Sequence, residues 1–368
     1  MSDLSVNSIL DAIGGATTTI NGFTPTVSNM TGRNRIINGD MRISQRNAGA
    51  AVTVTSGANF VVDRFLSNNN TGTGTITGQQ VTLGNSKSLK ITATAAATTL
   101  TTTNYIYAVN HIIEAQNCFD LNAKSVTLSF KVETNWAGFL PVAINKSNYS
   151  RSYVVDAPVL SGINTISITI PLEADTITTN SNATGIHFSI GANNEGTYRT
   201  ATTGSWVAGE FMASTSSTQW AKTTGNFINV TEVQLEEGSV ATPFERRQYG
   251  QELALCQRYA IVYGGSDVRH LGVASMYSST AINLTLHTPT TMRSQPTLTK
   301  TVNGSSLWLQ VYVGASGTSS NATPELGEGG GTNSFRLYCP GAHSGSTTGY
   351  AAWVHILAGA SLLLSAEL

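Results

Sequence analysis

Between Ser125 and Val132 apolar and polar side chains alternate without a break: Val126, Leu128, Phe130 and Val132 fall on one face, Ser125, Thr127, Ser129 and Lys131 on the other. A period of two is the mark of a half-buried strand, because successive Cβ atoms point to opposite faces of a sheet. The same period places Ile166, Ile168, Ile170 and Leu172 inward in INTISITIPL, and Ile186, Phe188 and Ile190 inward in GIHFSIGA, with His187 opposite. Such segments, separated by Gly, Asn and Ser turns, run from Arg33 to about Thr242. They predict an all-β fold whose first domain, residues 33–242, is most simply a jelly-roll β-sandwich. Near its end the phase slips: Ile228 and Val230 share one parity, Val233 and Leu235 the other. A β-bulge at Thr231 or Glu232 would accommodate that slip.

Helical spacing enters only after the bulge. Thr242-Pro243-Phe244-Glu245 fits a capping box with Pro at the first helical position, and Tyr249, Leu253, Cys256 and Ala260 then recur along one stripe. A short connecting helix is expected within 243–260; Gly250 disfavours its interior and leaves a start at Tyr249 open. Residues 261–368 read as a second β domain. In SLWLQVYV, Leu307, Leu309, Val311 and Val313 oppose Trp308 and Tyr312, and in YAAWVHIL, Trp353 and His355 oppose Ala352, Val354 and Ile356. Residues 1–32 have too few apolar positions for a core and read as an extended arm that orders against something else.

Charge is scarce, at 11% of the chain, and concentrated: Glu232 to Arg258 holds eight charged residues, whereas Thr71 to Asn110 holds only Lys87 and Lys90. A net charge of −1 provides no field to gather phosphates, so nucleic acid is not an expected partner. No apolar run reaches the length of a membrane span, and the N-terminus lacks a basic flank followed by an apolar stretch, so neither membrane insertion nor signal-directed export is expected. The three cysteines are far apart and read as small buried hydrophobes, and the six histidines show no metal-binding spacing. No metal or cofactor is therefore expected.

Catalytic patterns are equally thin. The glycines of TGTGTITG precede no helix pattern, GAHSGS misplaces the serine of a nucleophile elbow, and Glu236 and Glu237, adjacent on a strand, point to opposite faces. An acid pair assembled in space from Asp63, Asp120, Glu133 or Asp156 is not legible in one sequence. The expectation is a protein that is not an enzyme. Aromatic rings among many hydroxyls and amides are the stronger signal, since they suit the apolar faces and hydroxyls of sugars. The candidate contacts are Trp308, Tyr312, Tyr338 and Trp353, which oppose the apolar face of their strands, with Trp136 and Trp220 in the first domain.

Five blocks together, GGATTTINGFTPT (14–26), GRNRIINGDMRISQRN (32–47), VVDRF (61–65), VQLEEGSVATPFERR (233–247) and YGQELALCQRY (249–259), resemble tail-fibre proteins of tailed bacteriophages. One departure is Gln248, where the resemblance would place Pro. The resemblance implies a virion protein, assembled in the host cytoplasm and located on the phage tail. It implies a homotrimer, held to a tail or baseplate protein through residues 1–32, with a carbohydrate-binding-like jelly roll and a distal tip that touches host-cell surface carbohydrate. In such a trimer the stripe Tyr249, Leu253 and Cys256 would form the seam between copies. The family also suggests a calcium ion held by carboxylates such as Asp40 or Glu232, for which the sequence has no ligand loop. The alternatives are a structural virion component, such as a head fibre or decoration protein, and a polysaccharide depolymerase.

Overall fold

The computed structural model describes residues 32–71, 73–327 and 331–368, so the arm over 1–32, with its attachment role, lies outside the described residues apart from Gly32. The chain divides into two compact units, with the boundary between Arg247 and Gln248. Both are antiparallel β structures, and the only α-helix among the described residues is Tyr249–Gln257.

The first unit is a β-sandwich of jelly-roll type. Its six-stranded sheet runs Val52–Val54, Thr75–Leu83, Ser86–Ala95, Phe227–Glu237, Ser125–Thr134, Gly162–Pro171. Its eight-stranded sheet is built around Arg151–Val159, Gly138–Asn145, Thr184–Ile190, Tyr105–Glu114 and Phe65–Asn70. The period-two reading fixes what lies between them. Ile166, Ile168 and Ile170 pair with Phe130, Leu128 and Val126, and all six enter one core with Ile186, Phe188 and Ile190 from the other sheet. Each such burial stabilises the fold by roughly 1.5–3 kcal/mol.

The expected bulge is present. The strand Phe227–Glu237 shifts register between Thr231 and Gln234, with Glu232 in the left-handed region at φ 52°. The extra residue brings both Val230 and Val233 to the core face.

The helix does not begin at Pro243. Thr242 donates through its amide and its hydroxyl to Glu236, and the Glu245 carboxylate accepts from the backbone N–H groups of Gly32 and Asn34 at 2.7 and 2.8 Å. The groups of the expected capping box are thus satisfied by Glu236 and by the remote Gly32 and Asn34, and 243–248 form no helix. The helix starts at Tyr249 and buries Glu252 and Cys256, leaving Tyr249 57% exposed and Leu253 half-buried. Cys256 is therefore covered in the single chain and does not wait for a partner copy.

The charged residues around the bulge clasp 32–47 to the sandwich. Arg246 reaches Asp40 at 3.4 Å and Glu232 at 2.6 Å, Lys131 reaches Glu232 at 2.9 Å, and Arg247 donates to the carbonyls of Ile36 and Asn34. Asp40 and Glu232 already share a guanidinium. Their arrangement does not fit a calcium ion, and no group of three metal-ligating side chains occurs among the described residues.

The second unit packs a three-stranded sheet (Ala260–Gly265, Ala360–Ser365, Thr297–Thr301) and a seven-stranded sheet around a core that includes Leu284, Leu309, Val311, Val354 and Ile356. The central strands of the larger sheet are, in spatial order, Leu309–Val313, Ala351–Ile356, Arg269–Met276, Ile282–His287 and Ser334–Cys339.

Candidate functional site

The larger sheet of the second unit has one face in the core and one face open. Alternation decides which side chains occupy the open face. Along Ala351–Ile356, Ala352, Val354 and Ile356 are buried, so Trp353 and His355 point outward. Cross-strand register then assembles a row: Tyr312 is paired with Trp353, and Trp353 with Val273 on its other side. The next row sets Gln310, His355 and His270 side by side. Trp353 and Val273 are 58% and 61% exposed, an unusual concentration of large apolar surface on neighbouring strands.

The two imidazoles are in contact, their ring centroids 4.2 Å apart, and the Tyr312 ring lies 5.3 Å from His355. Burial, and then the neighbouring His270, hold the His355 pKa below the ordinary histidine range. At the far side of the same face Tyr277 and Tyr338 meet edge to face at 5.5 Å, with the Arg336 guanidinium 5.0 and 5.5 Å from their ring centroids. Arg336 is held there by a hydrogen bond from its Nε to Asn283 Oδ1 at 2.5 Å. Between the two aromatic groups lies a depression of about 400 Å³ lined by Val273, Ser275, Asn283, Leu284, Thr285 and Arg336. Ring faces flanking hydroxyl, amide and guanidinium donors form a surface on which a sugar can stack and hydrogen-bond.

Three of the four aromatic residues expected in this unit, Tyr312, Tyr338 and Trp353, are therefore on one face. The fourth is not. Trp308 is fully buried in the core of its own unit, and its indole N–H donates to the Ala322 carbonyl at 2.6 Å. Trp308 lies just before the strand Leu309–Val313, and although its backbone bonds to Ser320 and Leu357 its ring turns inward and does not follow the alternation that placed Tyr312 outside. Trp136 and Trp220 are also core residues. Their indoles donate to the carbonyls of Phe227 and Gly191 at 3.1 and 2.9 Å, and neither can meet a glycan at the surface. Tyr277, Val273, His270 and Arg336 were not expected. The first follows the end of its strand, and the others share the face only through register with Trp353 and Tyr338.

The acids considered for hydrolysis are dispersed and engaged. Asp63 accepts from Gln45 and Arg46, Asp120 pairs with Arg35, Glu133 accepts from Asn229, and Asp156 accepts from Ser214 and Ser217.

No protein-family model matches the chain, and no curated protein does. Among solved structures the chain is similar to the enzymatically active domain of tailspike protein 4 of bacteriophage CBA120. That match has 10% identity and a TM-score of 0.29, over 56% of this chain and 21% of that one. A CBM4 is similar at 14% identity and a TM-score of 0.27, over 54% of this chain and 97% of the module. The CBM22-1 xylan-binding domain of Paenibacillus barcinonensis Xyn10C is similar at 9% identity and a TM-score of 0.27, over 53% and 99%. At these scores the likenesses do not carry a functional argument.

Proposed function

We propose that the chain is a homotrimeric phage tail-fibre protein that attaches to the host by multivalent binding of cell-surface glycan. The observation that carries the reading is the open sheet face on which Trp353, Tyr312 and Tyr338 stand with Arg336, Asn283 and the His270–His355 pair. The sequence blocks that resemble those of tail fibres support the virion context. Each face needs only weak affinity, because linking three sites on one fibre raises avidity by roughly 10² to 10⁴. Catalysis is not part of this reading: the acids considered for it are each held in a separate structural hydrogen bond or ion pair.

The test is a glycan array probed with the full chain and with Trp353→Ala. The expected result is a restricted set of bound glycans that the substitution removes. A silent array, together with loss of self-association in Trp353→Ala, would make the face a contact between copies and the chain a structural virion component. Halos on a bacterial lawn, or a fall in capsule viscosity, would instead establish a depolymerase.

A further inference from the structure

The first unit carries a second concentration of binding chemistry. In the strand Thr184–Ile190, Ile186, Phe188 and Ile190 point into the core, so His187 and Ser189 point to the outer side of the eight-stranded sheet. Register places Tyr107 beside Asn68, and Tyr105 beside both Asn70 and Asn194. This side is roofed by the chain that follows: Met212 packs with Tyr107 and Ala192, and Tyr105 and Tyr198 close around them.

The result is an enclosure of phenols. Tyr105 lies 5.1 Å from Tyr107 and 5.5 Å from Tyr198, while His187 stands 6.0 Å from Tyr107 and 5.2 Å from Tyr149. Tyr149 is held in place by a left-handed backbone, φ 57°, a costly conformation for a large side chain.

Two features of this enclosure point to a ligand. First, it contains buried polar groups without a partner among the described residues. Ser189 and Asn194 are completely buried, yet among the described residues the Ser189 hydroxyl and both polar atoms of the Asn194 amide have no hydrogen-bond partner, nor do Asn68 Oδ1 and His187 Nδ1. Buried donors and acceptors are almost always satisfied, and a group of them on one sheet face indicates hydroxyls or amides supplied from outside.

Second, the roof contributes Glu210, a half-buried carboxylate with no hydrogen-bond or ion-pair partner among the described residues. Burial raises its pKa. Glu210 lies between Gly209, whose N–H donates to the Ser150 carbonyl next to Tyr149 at 2.8 Å, and Met212, which packs on Tyr107; burial first, and then the Glu210 charge, raise the pKa values of both phenols. Nor does His187 offset it: burial pulls its pKa down to about 4 and keeps the ring neutral. A desolvated carboxylate beside the electron-rich faces of several phenols is unfavourable by itself and complementary to a cation.

We propose that the tyrosine enclosure around Glu210 is a second ligand site and that its ligand is an amino sugar, whose ammonium meets Glu210 and the rings while its hydroxyls satisfy Ser189, Asn68 and Asn194. The site goes beyond the adhesion reading and does not depend on it, since it belongs to the other unit and uses none of the same residues.

The test is isothermal titration of the full chain at neutral pH with a glucosamine disaccharide bearing free amines, its N-acetylated counterpart, and choline. The free amine is expected to bind at least ten-fold more tightly than either of the others. Glu210→Gln is expected to abolish that preference while leaving the melting temperature unchanged or higher, because it removes an unpaired buried charge; loss of binding through misfolding would lower it. Trp353→Ala is expected to leave the preference intact, whatever it does on a glycan array. Equal affinity for the free and N-acetylated sugars, or an unchanged preference in Glu210→Gln, would overturn the assignment. Choline bound as tightly as the disaccharide would overturn the hydroxyl contacts and hence the sugar.

Discussion

Trp308 and Trp353 have the same side chain and the same parity relative to their strands, and they differ in position. Trp353 lies inside a strand and is forced outward; Trp308 lies just before one and turns inward. Trp308→Ala should therefore cost about 3–5 kcal/mol of stability and Trp353→Ala less than about 0.5 kcal/mol, a contrast readable from urea unfolding midpoints. The histidines of the first unit allow a second prediction at this scale. His111 is stacked on Phe188 with ring centroids 5.5 Å apart, and burial first, with Arg64 nearby, holds its pKa well below the ordinary value; burial alone lowers that of His187 to about 4. Both are neutral when folded and charged when unfolded below the ordinary value of 6.5. Their contribution is fully present above that pH and is lost as pH falls toward the folded values. Between pH 7 and 5.5 the first unit should lose about 1–3 kcal/mol, at a limiting slope of about 1.4 kcal/mol per pH unit for each histidine. His111→Phe should flatten that dependence by about half, as measured by the urea midpoint at the two pH values.

The bulge at Glu232 shows how far an element is legible before its partners are known. Parity alone located the slip, because two residues of one phase and two of the other all had to reach the core. The helix start was not legible for the complementary reason: Thr242 and Glu245 have the chemistry of a cap, but their hydrogen bonds are taken by Glu236, Gly32 and Asn34, and the last two reach Glu245 only once the chain has folded. Two substitutions test the clasp that results. Gly39 packs so closely that an added Cβ would lie 2.2 Å from the Val233 carbonyl oxygen, while the Gly39 carbonyl accepts from the Val233 N–H at 2.9 Å. Gly39→Ala must therefore push 32–47 away from the bulged strand, with a loss of at least about 2 kcal/mol. Arg246→Met removes one of the two guanidinium groups paired with the buried Asp40, the other being Arg42 at 3.4 Å. Since the Arg246 side chain is itself half exposed, the loss should be about 1–2 kcal/mol rather than that of a fully buried pair, and it should shrink in Asp40→Asn. Hydrogen exchange of the 32–47 amides would show both effects as faster opening of that segment.

For the whole molecule, alternation conveyed two β regions joined by a short helix, and one strand phase was enough to turn Tyr312 and Trp353 away from the apolar face, though not Trp308. The tyrosine enclosure around Glu210 was out of reach, since its members come from separate strands and an irregular roof and are united only by register. Oligomeric state is harder still, because the stripe read as a seam is divided: Cys256 is buried in the single chain, whereas Tyr249 is exposed and Leu253 half-exposed. If these two residues join three chains, the full protein should sediment at three times its 38.7 kDa mass. Tyr249→Glu with Leu253→Glu should reduce it to a single folded chain, because two carboxylates on each helix would repel one another across the seam and desolvate without partners. The functional consequence separates avidity from affinity. Binding of a soluble monovalent glycan should be unchanged in the double variant, whereas retention on a glycan-coated surface should fall by roughly 10² to 10⁴. A wild-type chain that sediments as a monomer at micromolar concentration would remove the trimer, and with it the reason that weak single faces suffice for attachment.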